Sequence, residues 1–381
     1  MTSVYLDYNA TAPIRPEALA AASEAMVLGG NPSSVHAAGR AARALIEAAR
    51  EQVAALIGGP ASTVVFTSGG TEANALAVES AVAAGSRRLL IGATEHDCVR
   101  ATAEASAAIV ETWPVDANGV ADLDWLEARL QAWSPADGRP FAALMLANNE
   151  TGVIQPAAEA AALMRAAEGW LHVDAVQAAG KIAVDSRALG ADTLAIASHK
   201  LGGPTGAGAL TFGPRASLSR RLHGGGQERG RRAGTENLAG IAGFGAAAAA
   251  ALRNLPHLAN QAGWRDAVAA RLVQDAGVTV FGQDAPRVAN TLCFAAPGYS
   301  AELQVMALDL EGVMVSAGSA CSSGKVKPSQ VLLAMGAGLM AGNAIRVSGG
   351  WASTQADWDR FADIWLAAHA RHQARHRSSA A

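Results

Sequence analysis

From about residue 60 onward, short apolar runs alternate with stretches whose apolar positions recur at helical spacing. TVVFTS (63–68) leads through Gly69 and Gly70 into TEANALAVESAVAA, and RRLLIGA (87–93) precedes a helical pattern over 97–109. FAALMLA (141–147), WLHVDA (170–175), TLAIAS (193–198) and GALTF (208–212) continue the series. Apolar runs this short, interleaved with helices, belong to strands buried on both faces, so the pattern predicts a parallel or mostly parallel sheet covered by helices. In such a sheet ligands gather beyond the carboxyl ends of the strands.

Further on, an Ala-rich stretch from Asn237 to about Leu272, with Pro256 inside it, predicts a helix leading out of this first unit. VTVFG, ANTLCFAA, a helix near 300–311, VMVSAGSA and NAIRVSGG predict a smaller α/β unit, and the tail from Asp357 a closing helix that dissolves into HQARHRSSAA. The expected division is a large domain over 13–254 and a small domain made of 1–12 and 255–381, the latter carrying Cys321.

Composition narrows the class. The chain has 381 residues, 50% hydrophobic and 17% charged, enough to bury a substantial core. A formal net charge of −3 provides no field for a polyanion, so nucleic acid is not an expected partner. The basic cluster Arg229, Arg231 and Arg232 is accordingly read as an interface and phosphate-proximal feature. Three widely spaced cysteines, Cys98, Cys293 and Cys321, resemble neither a disulfide framework nor a zinc cluster and fit a reducing cytosol. His96 with Cys98 is too small a ligand set for a metal site. The N-terminus lacks a cationic segment followed by an apolar one, and the Ala-rich runs are too short or interrupted to span a bilayer, so a cytoplasmic protein is expected.

Several polar groups fall at strand ends. Lys200 follows TLAIAS, and an amine held in low-dielectric surroundings loses its proton more easily and can form an imine with a carbonyl. Asp174 closes WLHVDA, with Gln177 about a turn beyond; a carboxylate there can pair with a protonated ring nitrogen, or can serve as a turn or cap residue. Ser68, Gly69, Gly70 and Thr71 lie between a strand and a helix, where backbone N–H groups form an anion cradle suited to phosphate; a simple capping box, Thr71 with Asn74, explains the same residues. His96 follows RRLLIGA and so reaches the same crevice, where imidazole can stack on a flat cofactor or move a proton. Asn148, Asn149 and Glu150 leave FAALMLA either as turn formers or as substrate contacts. Cys321 stands among glycines and serines in GSACSSGK, a segment whose composition is built to bend.

These motifs in this order, YLDYNAT, GNPSS, FTSGGTEAN, EHDCV, NNETGV, HVDAVQ, SHKLGGPTG, GGGQERGRRAGTEN, GSACSSG and IRVS, resemble the cysteine desulfurases of the class V aminotransferase superfamily, over nearly the whole chain from Val4 to about Gly350. The Gly/Ser-rich cysteine segment is similar to that of group I, the iron–sulfur cluster type. The resemblance implies a pyridoxal 5′-phosphate-dependent transferase of fold type I: α/β, with a mostly parallel seven-stranded sheet in a large domain, a smaller α/β domain, and a homodimer with active sites near the interface. Lys200 then matches the lysine that binds the cofactor covalently, Asp174 the partner of its ring nitrogen, and Gln177 the residue facing its phenolic oxygen. His96 matches the histidine stacked on the ring, and Gly70, Thr71 and His199 fall on phosphate contacts. Thr235 matches a threonine reaching the phosphate from the other subunit. Asn149 and Arg346 match the groups that hold the substrate α-carboxylate, and Cys321 the sulfur-accepting nucleophile. The sequence departs from the pattern at Ala197–Ser198, often Ser-Gly, so one hydroxyl contact to the phosphate is expected either to be lost or to come from Ser198 at a different angle, and Ser198 is counted with the cofactor-binding residues.

The implied activity converts L-cysteine to L-alanine, with the sulfur passing to Cys321 as a persulfide and on to a protein acceptor such as a cluster scaffold. Two alternatives share these residues: a selenocysteine lyase or other class V lyase or aminotransferase, and a catalytically silent scaffold of the same fold.

Overall fold

The computed structural model describes residues 3–318 and 328–379. Along the chain the first elements are β1 (Val4–Tyr5), α1 (Pro16–Leu28), α2 (Ala37–Leu56), β2 (Val64–Thr67), α3 (Gly70–Ala83), β3 (Arg88–Gly92), α4 (Asp97–Glu104) and β4 (Ile109–Trp113). There follow α5 (Leu123–Gln131), β5 (Phe141–Met145), α6 (Ala157–Ala166), β6 (Trp170–Asp174), α7 (Ser186–Leu189), β7 (Thr193–Ala197), β8 (Gly208–Phe212) and α8 (Leu238–Ala276). The remainder comprises β9 (Thr279–Val280), β10 (Thr291–Ala295), α9 (Ala301–Leu310), β11 (Val313–Met314), β12 (Ser316–Ala317), α10 (Gln330–Ala334), β13 (Ala344–Ser348) and α11 (Gln355–Ser379).

Seven strands form the main sheet in the order β2-β8-β7-β6-β5-β3-β4. All neighbours are parallel except β8, which runs antiparallel to both β7 and β2. The central strands β5, β6 and β7 are buried at every residue, including the polar His172 and Asp174 of β6 and Thr193 of β7. β4 was not foreseen: as an edge strand it buries only Trp113 fully and carries Glu111 and Thr112, so it lacks the apolar run that marks its neighbours. A second sheet, β12-β13-β10-β9, is antiparallel, and β1 pairs in parallel with β11.

α8 joins the two halves. Its first part packs Ile241, Phe244 and Ala251 into the core beneath the main sheet, while Val268, Ala269 and Leu272 enter a second core with Val4, Leu6, Phe294, Trp358 and Trp365. Pro256 lies inside this 39-residue helix without ending it. Leu252, the residue whose carbonyl would accept from the N–H that Pro256 lacks, is exposed, so solvent can satisfy that carbonyl. By length and composition α8 alone, among the described residues, would pass for a membrane span; 56% of that apolar window is buried inside the molecule, which marks a core helix. α11 runs further than the tail's polarity implies, continuing to Ser379. Ala, Gln and Arg are good helix formers, and His372 stacks on Tyr299 at 4.2 Å between ring centroids.

Candidate active site

The carboxyl ends of β5, β6 and β7 open into a cavity of about 380 Å³. Its walls bring together Lys200, Asp174, Gln177, His96, Gly70, Thr71, His199, Asn149 and Arg346, nine residues singled out from sequence. A second cavity of about 370 Å³ lies at the opposite ends of β7 and β8, among Arg165, Arg187, Asp192 and Arg215. Size does not separate the two, but only the first contains an amine set against a buried acid.

Lys200 follows β7 in a single 3₁₀ turn. Its Nζ donates to the carbonyl oxygens of Asn9 (2.6 Å) and Ala10 (2.7 Å). Burial, followed by the nearby Arg346 charge, brings its pKa down to about 8. Asp174 ends β6; its Oδ1 accepts from Val176 N (2.9 Å) and its Oδ2 from Asn74 Nδ2 (2.7 Å). Burial raises the Asp174 pKa, and these hydrogen bonds oppose that rise. The turn reading of Asp174 therefore holds as well as its place in the cavity.

Gly70 begins α3 against the ends of β6 and β7. A Cβ there would lie 3.0 Å from Val176 Cγ2 and 3.4 Å from Ala197 Cβ, so glycine lets the helix N-terminus come this close. No side chain caps α3, leaving its first amides facing the cavity end of the sheet. The capping-box alternative fails here: Gly69 is the N-cap, Thr71 lies inside the helix, and the Asn74 amide is engaged with Asp174.

His96 caps α4, its Nδ1 accepting from Cys98 N (3.1 Å). His199 Nδ1 lies 3.2 Å from Thr11 Oγ1, and burial together with the Lys200 charge lowers its pKa to about 4. In NNETG the two asparagines are placed differently. Asn148 Oδ1 accepts from Glu150 N and Thr151 N, both at 2.9 Å, forming the turn, while Asn149 lines the cavity. Arg346, on β13, donates from Nη2 to Asp7 Oδ1 (2.7 Å) and from Nη1 to Asn149 O (3.1 Å); its buried Nε has no partner among the described residues.

Two expected residues lie elsewhere. Ser198 is fully buried, has no hydrogen-bond partner for its Oγ among the described residues, and is absent from the cavity wall. Its side chain sits against Gly203, where a Cβ would come within 2.2 Å of the hydroxyl. Ala197, one position earlier, takes the cavity side, so the hydroxyl contact expected from Ser198 is corrected. Thr235 is exposed and outside this cavity. Cys321 lies outside the described residues.

A match to the class-V aminotransferase family model extends over residues 4–361. The chain belongs to that family. It is 40% identical to a cysteine desulfurase of Cereibacter sphaeroides, with 96% of this chain and 95% of that protein covered. It is 38% identical to a selenocysteine lyase of Bos taurus, over 93% of this chain and 91% of that one. Among solved structures, a NifS-like protein from Rickettsia africae superposes with a TM-score of 0.89 at 31% identity, covering 97% of this chain and 99% of the other.

The family depends on pyridoxal 5′-phosphate, and the donor set of the cavity fits that group. It offers an amine of lowered pKa, a buried carboxylate for a ring nitrogen and an uncapped helix N-terminus for a phosphate. Several participants were not anticipated. Asn9 binds Lys200 and Gln177 through its carbonyl, receives the Lys181 amine on Oδ1 (2.6 Å) and donates to Thr291 Oγ1 (2.9 Å). Lys181 is buried, which pushes its pKa far below that of an ordinary lysine, and it also donates to Gln177 Oε1. Asn9 lies in YLDYNAT and Lys181 follows HVDAVQAAG; an amide between Tyr8 and Ala10 and a lysine a few residues past Gln177 give no sign of burial in a sequence.

Proposed function

We propose that this protein is a pyridoxal phosphate-dependent cysteine desulfurase that converts L-cysteine to L-alanine and passes the sulfur to Cys321 as a persulfide. The observation that carries the reading is the convergence of Lys200, Asp174 and the α3 N-terminus on one cavity, with Arg346 beside them.

When bound, pyridoxal phosphate supplies an electron sink for the substrate α-carbon. Lys200 is the residue for its covalent attachment, Asp174 for its ring nitrogen, Gln177 for its phenolic oxygen, His96 for its ring face, and Gly70, Thr71 and His199 for its phosphate. Lys200 starts with an amine near neutrality, so at moderately alkaline pH it holds or releases a proton with little cost. Arg346 and Asn149 bind the substrate α-carboxylate, for which the planar guanidinium is suited. The proposed nucleophile, Cys321, acts as thiolate on the substrate sulfur.

A homodimer in which Thr235 contacts the partner's cofactor accounts for an exposed threonine in an otherwise anchored segment. The division into 13–254 and 1–12 with 255–381 accords with two hydrophobic cores that share α8. A cytoplasmic setting suits the free thiols of Cys98 and Cys293. A protein acceptor such as an iron–sulfur cluster scaffold would take the sulfur.

The test is a single-turnover assay without reductant on the cofactor-loaded protein given L-cysteine. One alanine per active site, matched by one persulfide on Cys321, is expected, and Cys321→Ser abolishes both. Undiminished alanine in Cys321→Ser, or release from selenocysteine but not cysteine, contradicts the reading.

A further inference from the structure

Trp170, His172 and Asp174 alternate along β6 and so project from the same face of the sheet. A continuous, fully buried row of hydrogen bonds runs along that face beneath α3. Trp170 Nε1 donates to Thr193 Oγ1 at 3.0 Å, and Thr193 Oγ1 lies 3.0 Å from His172 Nδ1. His172 Nε2 lies 2.9 Å from Asn74 Oδ1, and Asn74 Nδ2 donates to Asp174 Oδ2 at 2.7 Å. His172 and Trp170 have no exposure, and Asn74 and Thr193 have 1% each.

The direction of this row follows from its ends. An indole N–H is a donor only, so Thr193 accepts from Trp170 and has its own O–H free for His172 Nδ1. A neutral imidazole that accepts at Nδ1 must donate at Nε2, which turns Asn74 Oδ1 toward it and both amide hydrogens the other way. One hydrogen goes to Asp174, and Nδ2 is also 3.2 Å from Cys98 Sγ, a weak acceptor. Reversing the row would require a proton on Asp174 and leave the Thr193 hydroxyl hydrogen without a recipient in it. The row is therefore coupled to the charge of the carboxylate. Burial holds the ring neutral, with a pKa near 3.

We propose that His172 is a positioning residue which, through Asn74, holds Asp174 as a pure hydrogen-bond acceptor, the ionised form needed to pair with a protonated ring nitrogen. This rests on the placement of the cofactor beside Asp174 given above.

Histidine ¹⁵N spectra of the full chain, with and without pyridoxal phosphate, read the row directly. One of the nine histidines, assigned by its loss in His172→Gln or its displacement in Thr193→Val, is expected as the neutral Nε2–H tautomer from pH 8 down to about pH 4, since a buried ring resists protonation. An Nδ1–H tautomer, or an imidazolium at neutral pH, overturns the proposal. The second readout is cofactor affinity by equilibrium dialysis. His172→Gln, whose amide can still donate to Asn74, should stay within about threefold of wild type, and His172→Phe should lose about tenfold, the weight of one buried hydrogen bond. Thr193→Val, nearly isosteric, should fall between them and remains readable if His172→Phe does not fold. Equal losses in Gln and Phe, or none in Phe and Val, also overturn it. A wild-type protein that binds no pyridoxal phosphate would defeat the functional reading instead, leaving the tautomer result to stand or fall by itself.

Discussion

Arg346 and Asp7, 339 positions apart in the chain, meet at 2.7 Å beside the cavity and join β13 to the segment after β1. Ser316 Oγ secures the other Asp7 oxygen at 2.7 Å, so the carboxylate fixes the guanidinium in place while Nε has no partner among the described residues. An arginine positioned in this way can receive a second carboxylate without reorganising.

A lysine keeps the charge but loses the fork. Arg346→Lys should therefore raise KM for L-cysteine by about tenfold or more, with a smaller effect on kcat. Steady-state alanine formation measures both. An unchanged KM would remove Arg346 from substrate binding.

Lys200 gives a pH dependence. Its folded pKa lies near 8, below that of a free lysine, so the neutral amine that can capture an aldehyde appears as pH rises through about 8. The rate at which stripped protein recovers its colour on adding pyridoxal phosphate should rise through that pH and level off above it. A midpoint near that of an ordinary lysine would contradict the burial argument.

Glu150 is almost wholly buried, which raises its pKa to about 7, and it accepts from Ser329 Oγ at 2.6 Å. Between the unfolded carboxyl pKa and 7 the folded chain binds a proton that the unfolded chain does not, so this group's contribution to stability falls as pH rises through that window. Glu150→Gln keeps the acceptor and removes the charge. It should be more stable than wild type above pH 7, by up to about 3 kcal/mol, and lose the advantage near pH 5. Urea melts at the two pH values decide it; a loss of stability at high pH would show that the charge is needed.

Arg50 clasps Glu228 through both guanidinium ends, at 2.7 and 2.9 Å, with both side chains at most 5% exposed. Glu228 and Arg229 adopt φ of 48° and 56°, so the pair holds a strained turn. Arg50→Met leaves a buried charge and should cost about 3 to 5 kcal/mol in denaturant melts, with faster proteolysis within 222–237. A loss below about 1 kcal/mol would show that the turn holds itself.

Much of this is legible in the sequence because the buried parallel strands read as short, mostly apolar runs, and polar residues at or just beyond the ends of β3, β5, β6 and β7 (His96, Asn149, Asp174 and Lys200) lie on the cavity wall. β4 is not, since an edge strand needs no such run. Ser198 was misplaced because motif alignment gives position but not side-chain direction at the end of β7. His172 was hidden inside WLHVDA, although a histidine in step with Asp174 on a fully buried strand is itself a signal that something must satisfy its ring. Asp7, Asn9 and Asn74 act through partners distant in the chain, and no local pattern encodes such pairings.

The central claim is that one particular amine meets the cofactor. Two buried lysines of lowered pKa, Lys200 and Lys181, share the carbonyl and amide oxygens of Asn9, so the assignment is not trivial. Borohydride reduction of the pyridoxal phosphate-loaded protein, followed by peptide mass spectrometry, tests it. The account predicts a pyridoxyl adduct on Lys200 alone; an adduct on Lys181 or on any other lysine would contradict it.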